Sequence, residues 1–185
     1  MPLRAYISPW LGYAVRHIPD TPDKSYDIYD FRYCSRSNEN RWNIAGEPTL
    51  YLAKEKDVAL AEYARHFQVN RTPGLANKTY RRQVFRFRVE LEYVLDLRIP
   101  EVWEWLSLEN APDCFKDKTI ARSTANFIRN TTLTQALFVP SIAFLDNLEQ
   151  WCLVLFLEKL VPEIKLFLPS VEADGFFQIS WGNSC

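Results

Sequence analysis

The chain has 185 residues, 48% of them hydrophobic, with twelve Phe, nine Tyr and six Trp, which is enough to build one self-sufficient core and excludes disorder or a dependence on metal or disulfides for folding. A formal net charge of −1 supplies no global basic field, so direct nucleic-acid binding is not expected. No apolar run approaches the about 18 residues of a membrane span, MPLRAYISPW lacks the basic-then-apolar pattern expected of a signal peptide, and Cys34, Cys114, Cys152 and Cys185 with only His17 and His66 give no zinc spacing; no metal, no membrane and a cytoplasmic location are the expectation.

Residues 1–39 read as an irregular N-terminal wrap, because Pro2, Pro9, Pro19 and Pro22 interrupt any long element, with Tyr13 to Val15 as a short edge strand. Arg16 follows that apolar trio, a place from which it can reach the edge of a pocket. Ala45-Gly46-Glu47-Pro48 has the composition of a turn, and Thr49-Leu50-Tyr51-Leu52 that of a strand. The spacing then predicts a helix from about Glu55 to Val69, with Ala59, Leu60, Tyr63, Ala64 and Phe67 on one apolar stripe. Glu62 lies off that stripe, near Val58, Arg65 and His66.

Asn70 to Lys78, with Pro73 and Gly74, is expected to be a loop. Phe85, Phe87, Val89, Leu91, Tyr93, Leu95 and Leu97 alternate with charged residues, as in a long strand, or two joined at a bend, with one buried face. Pro100 can open a short helix whose Trp103 and Trp105 are expected in the core. Asp117 to Arg129 predicts a second helix with Ile120, Ala121, Phe127 and Ile128 inward, and Leu137 to Val139 a strand ending at Pro140-Ser141. Trp151 to Leu157, Ile164 to Leu168 and Phe176 to Trp181 read as three further strands. The irregular order of elements fits a single α+β domain, with mixed or antiparallel sheets and flanking helices, over a regularly alternating layout. Its parts are the wrap, a motif-bearing core at 40–156 and C-terminal strands at 157–185.

No Walker A loop, GxGxxG, HExxH or GxSxG is present. What the chain does carry, in order, is Arg41-Trp42-Asn43, Tyr51 after a Gly-Glu-Pro turn, Ala61-Glu62 on the following helix, and Val139-Pro140-Ser141 before another apolar strand. From about Arg16 to Phe156 this resembles the RES domain family, named for its Arg, Glu and Ser residues. The resemblance implies an ADP-ribosyltransferase-like fold and an enzyme, a toxin that degrades NAD+ and is neutralised by a cognate antitoxin. It assigns Arg41, Tyr51, Glu62 and Ser141 as the catalytic set, with Arg16, Trp42 and Asn43 binding substrate.

Those residue types suit the chemistry. An arginine fork grips a phosphate, and a tyrosine face suits a cationic nicotinamide ring. A fixed carboxylate stabilises the positive charge that develops on ribose as the N-glycosidic bond breaks. Water or inorganic phosphate then completes a hydrolase or phosphorylase reaction, with NAD+ as substrate and no cofactor. The alternatives are an ADP-ribosyltransferase acting on a macromolecular acceptor, or a degenerate domain that only binds nucleotide or a partner. A homo-oligomer is expected by analogy alone. Three positions depart from the family pattern: Asn40 stands for a glycine, Cys152 for an asparagine, and Ala53 for a hydroxyl residue leading into the helix.

Overall fold

A computed structural model describes residues 3–32, 34, 40–69 and 79–179. A 3-10 turn, Leu3–Tyr6, leads into β1 (Ile7–Pro19), followed by β2 (Thr49–Ala53), α1 (Lys56–Val69) and β3 (Arg82–Asp96). Then come α2 (Pro100–Trp105), α3 (Lys118–Thr131), β4 (Ala136–Pro140), β5 (Trp151–Phe156), α4 (Ile164–Phe167) and β6 (Ser170–Phe177).

The strands form one six-stranded mixed sheet. β1 runs antiparallel to β3 along its length, and β2 is antiparallel to β5, β5 to β4, while β4 is parallel to the end of β3 at Val94–Asp96. A single bridge, Val15 to Ala53, joins β1 to β2. The pairings therefore close a ring in the order β1, β2, β5, β4, β3, with β6 added to β3 beside Arg82–Arg88. That architecture is the expected α+β class.

β4 and β5 bury both faces, which is why they read as unbroken apolar runs. Ala136, Phe138, Leu153 and Leu155 point into the ring with Leu50, Leu52, Phe87 and Val89. Leu137, Val139, Val154 and Phe156 point outward, against Ile128 and Ala125 of α3 and Val102 of α2. A smaller cluster seats Val58 and Ala59 of α1 on Val15, Ala53, Val84 and Phe177.

β3 serves both cores by means of a bulge. Ser8 faces Val94 and Trp10 faces Leu91, so two steps along β1 span three along β3. One extra residue reverses the facing of everything after it. Leu91 and Val94 consequently share the ring interior, Leu95 and Leu97 face the helices, and Tyr93 is left 40% exposed. The amides of Glu92 and Tyr93 donate to Oε1 of Gln135 at 2.9 and 3.2 Å. Opposite them lies Pro9, which has no amide to leave unpaired.

Several sequence expectations are corrected. Within the expected irregular wrap, the short edge strand is instead β1, which runs for 13 residues while residues 20–32 hold only turns, because Pro9 falls at the bulge and Pro19 at the strand end, the positions where a strand tolerates proline. Ile164 to Leu168 contains a short helix, α4, since so brief an apolar run does not distinguish helix from strand. The last strand begins earlier, at Ser170, and ends at Phe177; it is largely exposed and so reads as polar. Its expected end at Ser180 and Trp181, and the expected loop from Asn70 to Lys78, lie outside the described residues. In α3 the buried stripe is Ala121, Thr124, Ala125 and Ile128, which turns Phe127 outward to 49% exposure. Trp105 is likewise 48% exposed, Trp103 is half-buried with its indole N–H on the Leu97 carbonyl at 2.6 Å, and Val102 is the α2 residue that enters the core.

Candidate active site

The sole bridge between β1 and β2 positions the cleft. Continuing their antiparallel register past Val15 and Ala53 would pair Arg16 with Leu52 and His17 with Tyr51, but no such pairs form. The strands diverge there. A cleft of about 380 Å³ opens between them, walled by Arg16 and His17 of β1, Thr49–Ala53 of β2, Ala59, Glu62 and Tyr63 of α1, Cys152 of β5, and Cys34 and Asn40.

Glu62 is on the cleft side of α1, as its place off the apolar stripe allows. Its Oε1 accepts hydrogen bonds from the Ser141 hydroxyl at 2.6 Å and the Ala143 amide at 3.1 Å. Ser141 is fully buried, sits where β4 ends, and its own amide is bonded to the Gln150 carbonyl. Two donors from one fixed turn thus orient the carboxylate, as preorganised electrostatics requires.

Tyr51 is among the residues that line the cleft. Its hydroxyl is occupied elsewhere, donating to Asn43 Oδ1 at 2.7 Å and accepting from the Trp42 amide at 3.0 Å. Burial raises the phenol above its ordinary range. Asn43 is fully buried, and its Nδ2 donates to the Ile44 and Glu47 carbonyls. Trp42 is 3% exposed and packs on Phe115 at 5.0 Å between ring centroids. The structure therefore places Trp42 and Asn43 behind Tyr51, holding it, and not on the cleft surface. The turn that aligns them closes at Gly46, whose φ of 95° favours glycine.

The two arginines differ in position. Arg16 lines the cleft, donating to the Ile28 carbonyl at 2.7 Å beneath the Phe31 ring, and burial lowers its pKa. Arg41 is not among the lining residues. Its Nη1 donates to the Phe115 and Lys116 carbonyls at 2.8 and 2.6 Å, while Glu62 and Tyr51 are close enough to interact with its charge. Burial, first, and Arg65, second, lower its pKa.

Three further residues line the cleft: His17, which no motif marks, and Cys152 and Asn40, two of the departures from the family pattern. His17 is wedged between Tyr63 and Phe177, each at 5.0 Å, and its Nδ1 accepts from Arg82 Nε at 3.0 Å. Cys152 sits beside Ala53 on β5, with its thiol pushed up by burial and by Glu62. Asn40 has its carbonyl clasped by Arg122 at 2.6 and 3.0 Å. Alternation along β1 gives the one signal that finds His17: Ala14 and Ile18 face the ring core with Arg16 in phase, so Val15 and His17 face away from it.

Among the described residues, no group of three or more His, Cys, Asp or Glu could hold a metal ion, and no helix is long and apolar enough to cross a membrane. The sequence profile of the RES domain matches residues 14–172. No curated protein matches the chain. Among solved structures, a chain of the M. tuberculosis MbcT–MbcA toxin–antitoxin complex superposes with a TM-score of 0.68 at 18% identity, over 96% of this chain and 90% of that one. At that identity the likeness establishes the shared fold.

Proposed function

The chain belongs to the RES domain family, and we propose that its cleft binds NAD+ and cleaves the bond between nicotinamide and ribose, by hydrolysis or phosphorolysis, as the toxin of a toxin–antitoxin pair. The observation that carries this reading is the Glu62 carboxylate, fixed by Ser141 and Ala143 in a cleft it shares with Tyr51 and Arg16. The toxin role follows the shared fold with a protein of a toxin–antitoxin complex, and the ADP-ribosyltransferase-like label belongs to the same reading.

In this mechanism the C1′–N bond breaks with its electron pair leaving on nicotinamide. Positive charge grows on the ribose, where the held Glu62 carboxylate stabilises it more than it stabilises the ground state. Water or inorganic phosphate adds to C1′, and the proton released by the attacking group goes to solvent. Ser141 acts through Glu62: its hydroxyl hydrogen is committed to the carboxylate, so it is a positioning residue. Tyr51, with its hydroxyl engaged, offers the ring for stacking. Arg16 faces the phosphates. Arg41 has one nitrogen on the Phe115 and Lys116 carbonyls, and its charge lies beside Glu62.

Purified wild-type protein is expected to deplete NAD+ and release nicotinamide, and Glu62→Gln to lower the rate by roughly 100-fold or more. Turnover by Glu62→Gln within about threefold of wild type, or NAD+ left intact by wild type, would overturn the reading. NAD+ labelled in the adenylate half separates the acceptors. Label in free ADP-ribose or its 1-phosphate supports hydrolysis or phosphorolysis, and label on macromolecules identifies transfer instead. In cells, wild type is expected to arrest growth as NAD+ falls, and Glu62→Gln to leave growth intact.

A further inference from the structure

Beyond Glu62, the cleft has a second end with a different chemistry. Arg16 and Arg82 are both largely withdrawn from water, and burial lowers both pKa values. Neither forms an ion pair with a carboxylate among the described residues; Asp27 and Asp30 act on Arg16 only at longer range. Arg16 rests on a carbonyl, a thiol and the Phe31 ring. Arg82 rests on the neutral His17 and lies over the Tyr63 ring at 4.9 Å. Two buried guanidiniums with no ion-paired carboxylate among the described residues form an unfinished electrostatic arrangement.

His17 contacts Arg82 and, like Arg16, lines the cleft. Its Nδ1 accepts from Arg82, so the ring proton sits on Nε2. Arg82 does not line the cleft whereas His17 does, and Nε2–H is the ring donor that Arg82 leaves untaken. Nε2 has no hydrogen-bond partner among the described residues. The surroundings keep the ring neutral: burial, then Arg82 and Arg16, depress it to about 3. A donor that is uncharged at working pH, backed by fixed cations, suits an anionic oxygen.

We propose that His17, fixed in its Nε2–H form by Arg82, and Arg16 together form a subsite for a phosphoryl oxygen of the ligand, with His17 a direct donor and Arg82 a positioning residue. This rests on the reading of the cleft as a dinucleotide site and adds an orientation: phosphates toward His17 and the scissile ribose toward Glu62.

Binding of three probes by calorimetry tests it: ADP-ribose and ADP, which carry phosphates, and nicotinamide riboside, which carries none. His17→Phe keeps the ring contacts with Tyr63 and Phe177. It is expected to weaken ADP-ribose and ADP by roughly tenfold or more and nicotinamide riboside by less than about twofold. His17→Gln, which restores an N–H near Nε2, is expected within about threefold of wild type for all three, and the NAD+ loss in His17→Phe to appear in KM rather than kcat. Unchanged ADP binding by His17→Phe, or an equal loss for nicotinamide riboside, would overturn the subsite.

If His17→Phe does not fold, Arg82→Met decides. Its His17 ring nitrogens, read by 15N NMR, are expected to show mixed protonation where wild type shows Nε2–H alone, with weaker ADP binding; a wild-type spectrum and affinity would overturn the proposal. Wild type that binds ADP but spares NAD+ sinks the catalytic reading and leaves the subsite standing. Wild type that cleaves NAD+ with His17→Phe unimpaired does the reverse, and wild type that binds no phosphate-bearing probe sinks both.

Discussion

Two regions of this protein bury arginine, and they treat it differently. Arg129 of α3, 7% exposed, donates to the Thr49 hydroxyl at 2.6 Å, lies over the Phe156 ring at 4.3 Å, and has Glu158 and Glu47 at 3.5 and 3.9 Å. Its charge is matched by groups of the same chain. Its Nε lies 3.5 Å from Glu158 Oε1, an ion pair without hydrogen-bond geometry. Arg16 and Arg82, at the cleft, have carbonyl, ring and imidazole neighbours and no paired carboxylate among the described residues. The contrast separates a cation that holds the fold together from cations held ready for an anion from outside.

The largest expected effect attacks the matched side. Arg129→Met removes the link between α3 and the turn before β2, leaving Glu47 and Glu158 without their cation, and is expected to cost about 3 kcal/mol in urea unfolding. A cost below about 1 kcal/mol would erase the contrast.

The next effect tests the unmatched side by adding charge to it. His17 has a folded pKa of about 3 against 6.5 for the free group, so between those values the unfolded chain binds the additional proton. Its contribution to stability is complete above the unfolded pKa and is lost as pH falls, at about 1.4 kcal/mol per pH unit across that window. Wild type should therefore lose more stability than His17→Phe between pH 7 and 5, by about 2 kcal/mol in denaturant titrations. Parallel losses would mean that the ring is already free to charge beside the two arginines.

The smallest expected change in stability comes from Arg16→Gln. Removing an unmatched buried cation relieves about as much desolvation as it loses in hydrogen bonding, so stability should move by less than about 1 kcal/mol. KM for NAD+ should nevertheless rise roughly tenfold or more. Destabilisation as large as that of Arg129→Met would place Arg16 among the structural cations.

Most of the site elements were legible because their patterns are local. The Gly46 turn, the strand carrying Tyr51 and the helix carrying Glu62 follow from composition and period within a few residues. Leu137 to Val139 and Trp151 to Leu157 read as strands because both faces are buried. The hidden parts depend on distant partners. β1 reads as irregular until Pro9 is placed opposite the β3 bulge, and Phe127 reads as core until Ala121, Ala125 and Ile128 are seen to occupy that side of α3. Glu62 was visibly off the apolar stripe, but its bond to Ser141 joins residues 79 positions apart. Alternation can place His17 on a face of β1, but its bond to Arg82 joins residues 65 positions apart, and no short-range pattern encodes that pair.

The bulge at Glu92 and Tyr93 gives β3 a property akin to a reading frame. Upstream of it the odd-numbered residues face the ring interior, and downstream the even-numbered ones do. Removing one residue there would leave the composition of the strand almost unchanged, yet it would send Leu95 and Leu97 toward the wrong core and strand the Gln135 side chain that now receives two amides. Length is thus constrained at this point more tightly than residue type. A substitution at Tyr93, 40% exposed, alters one surface position, whereas a single-residue deletion rewrites the facing of everything between it and α2.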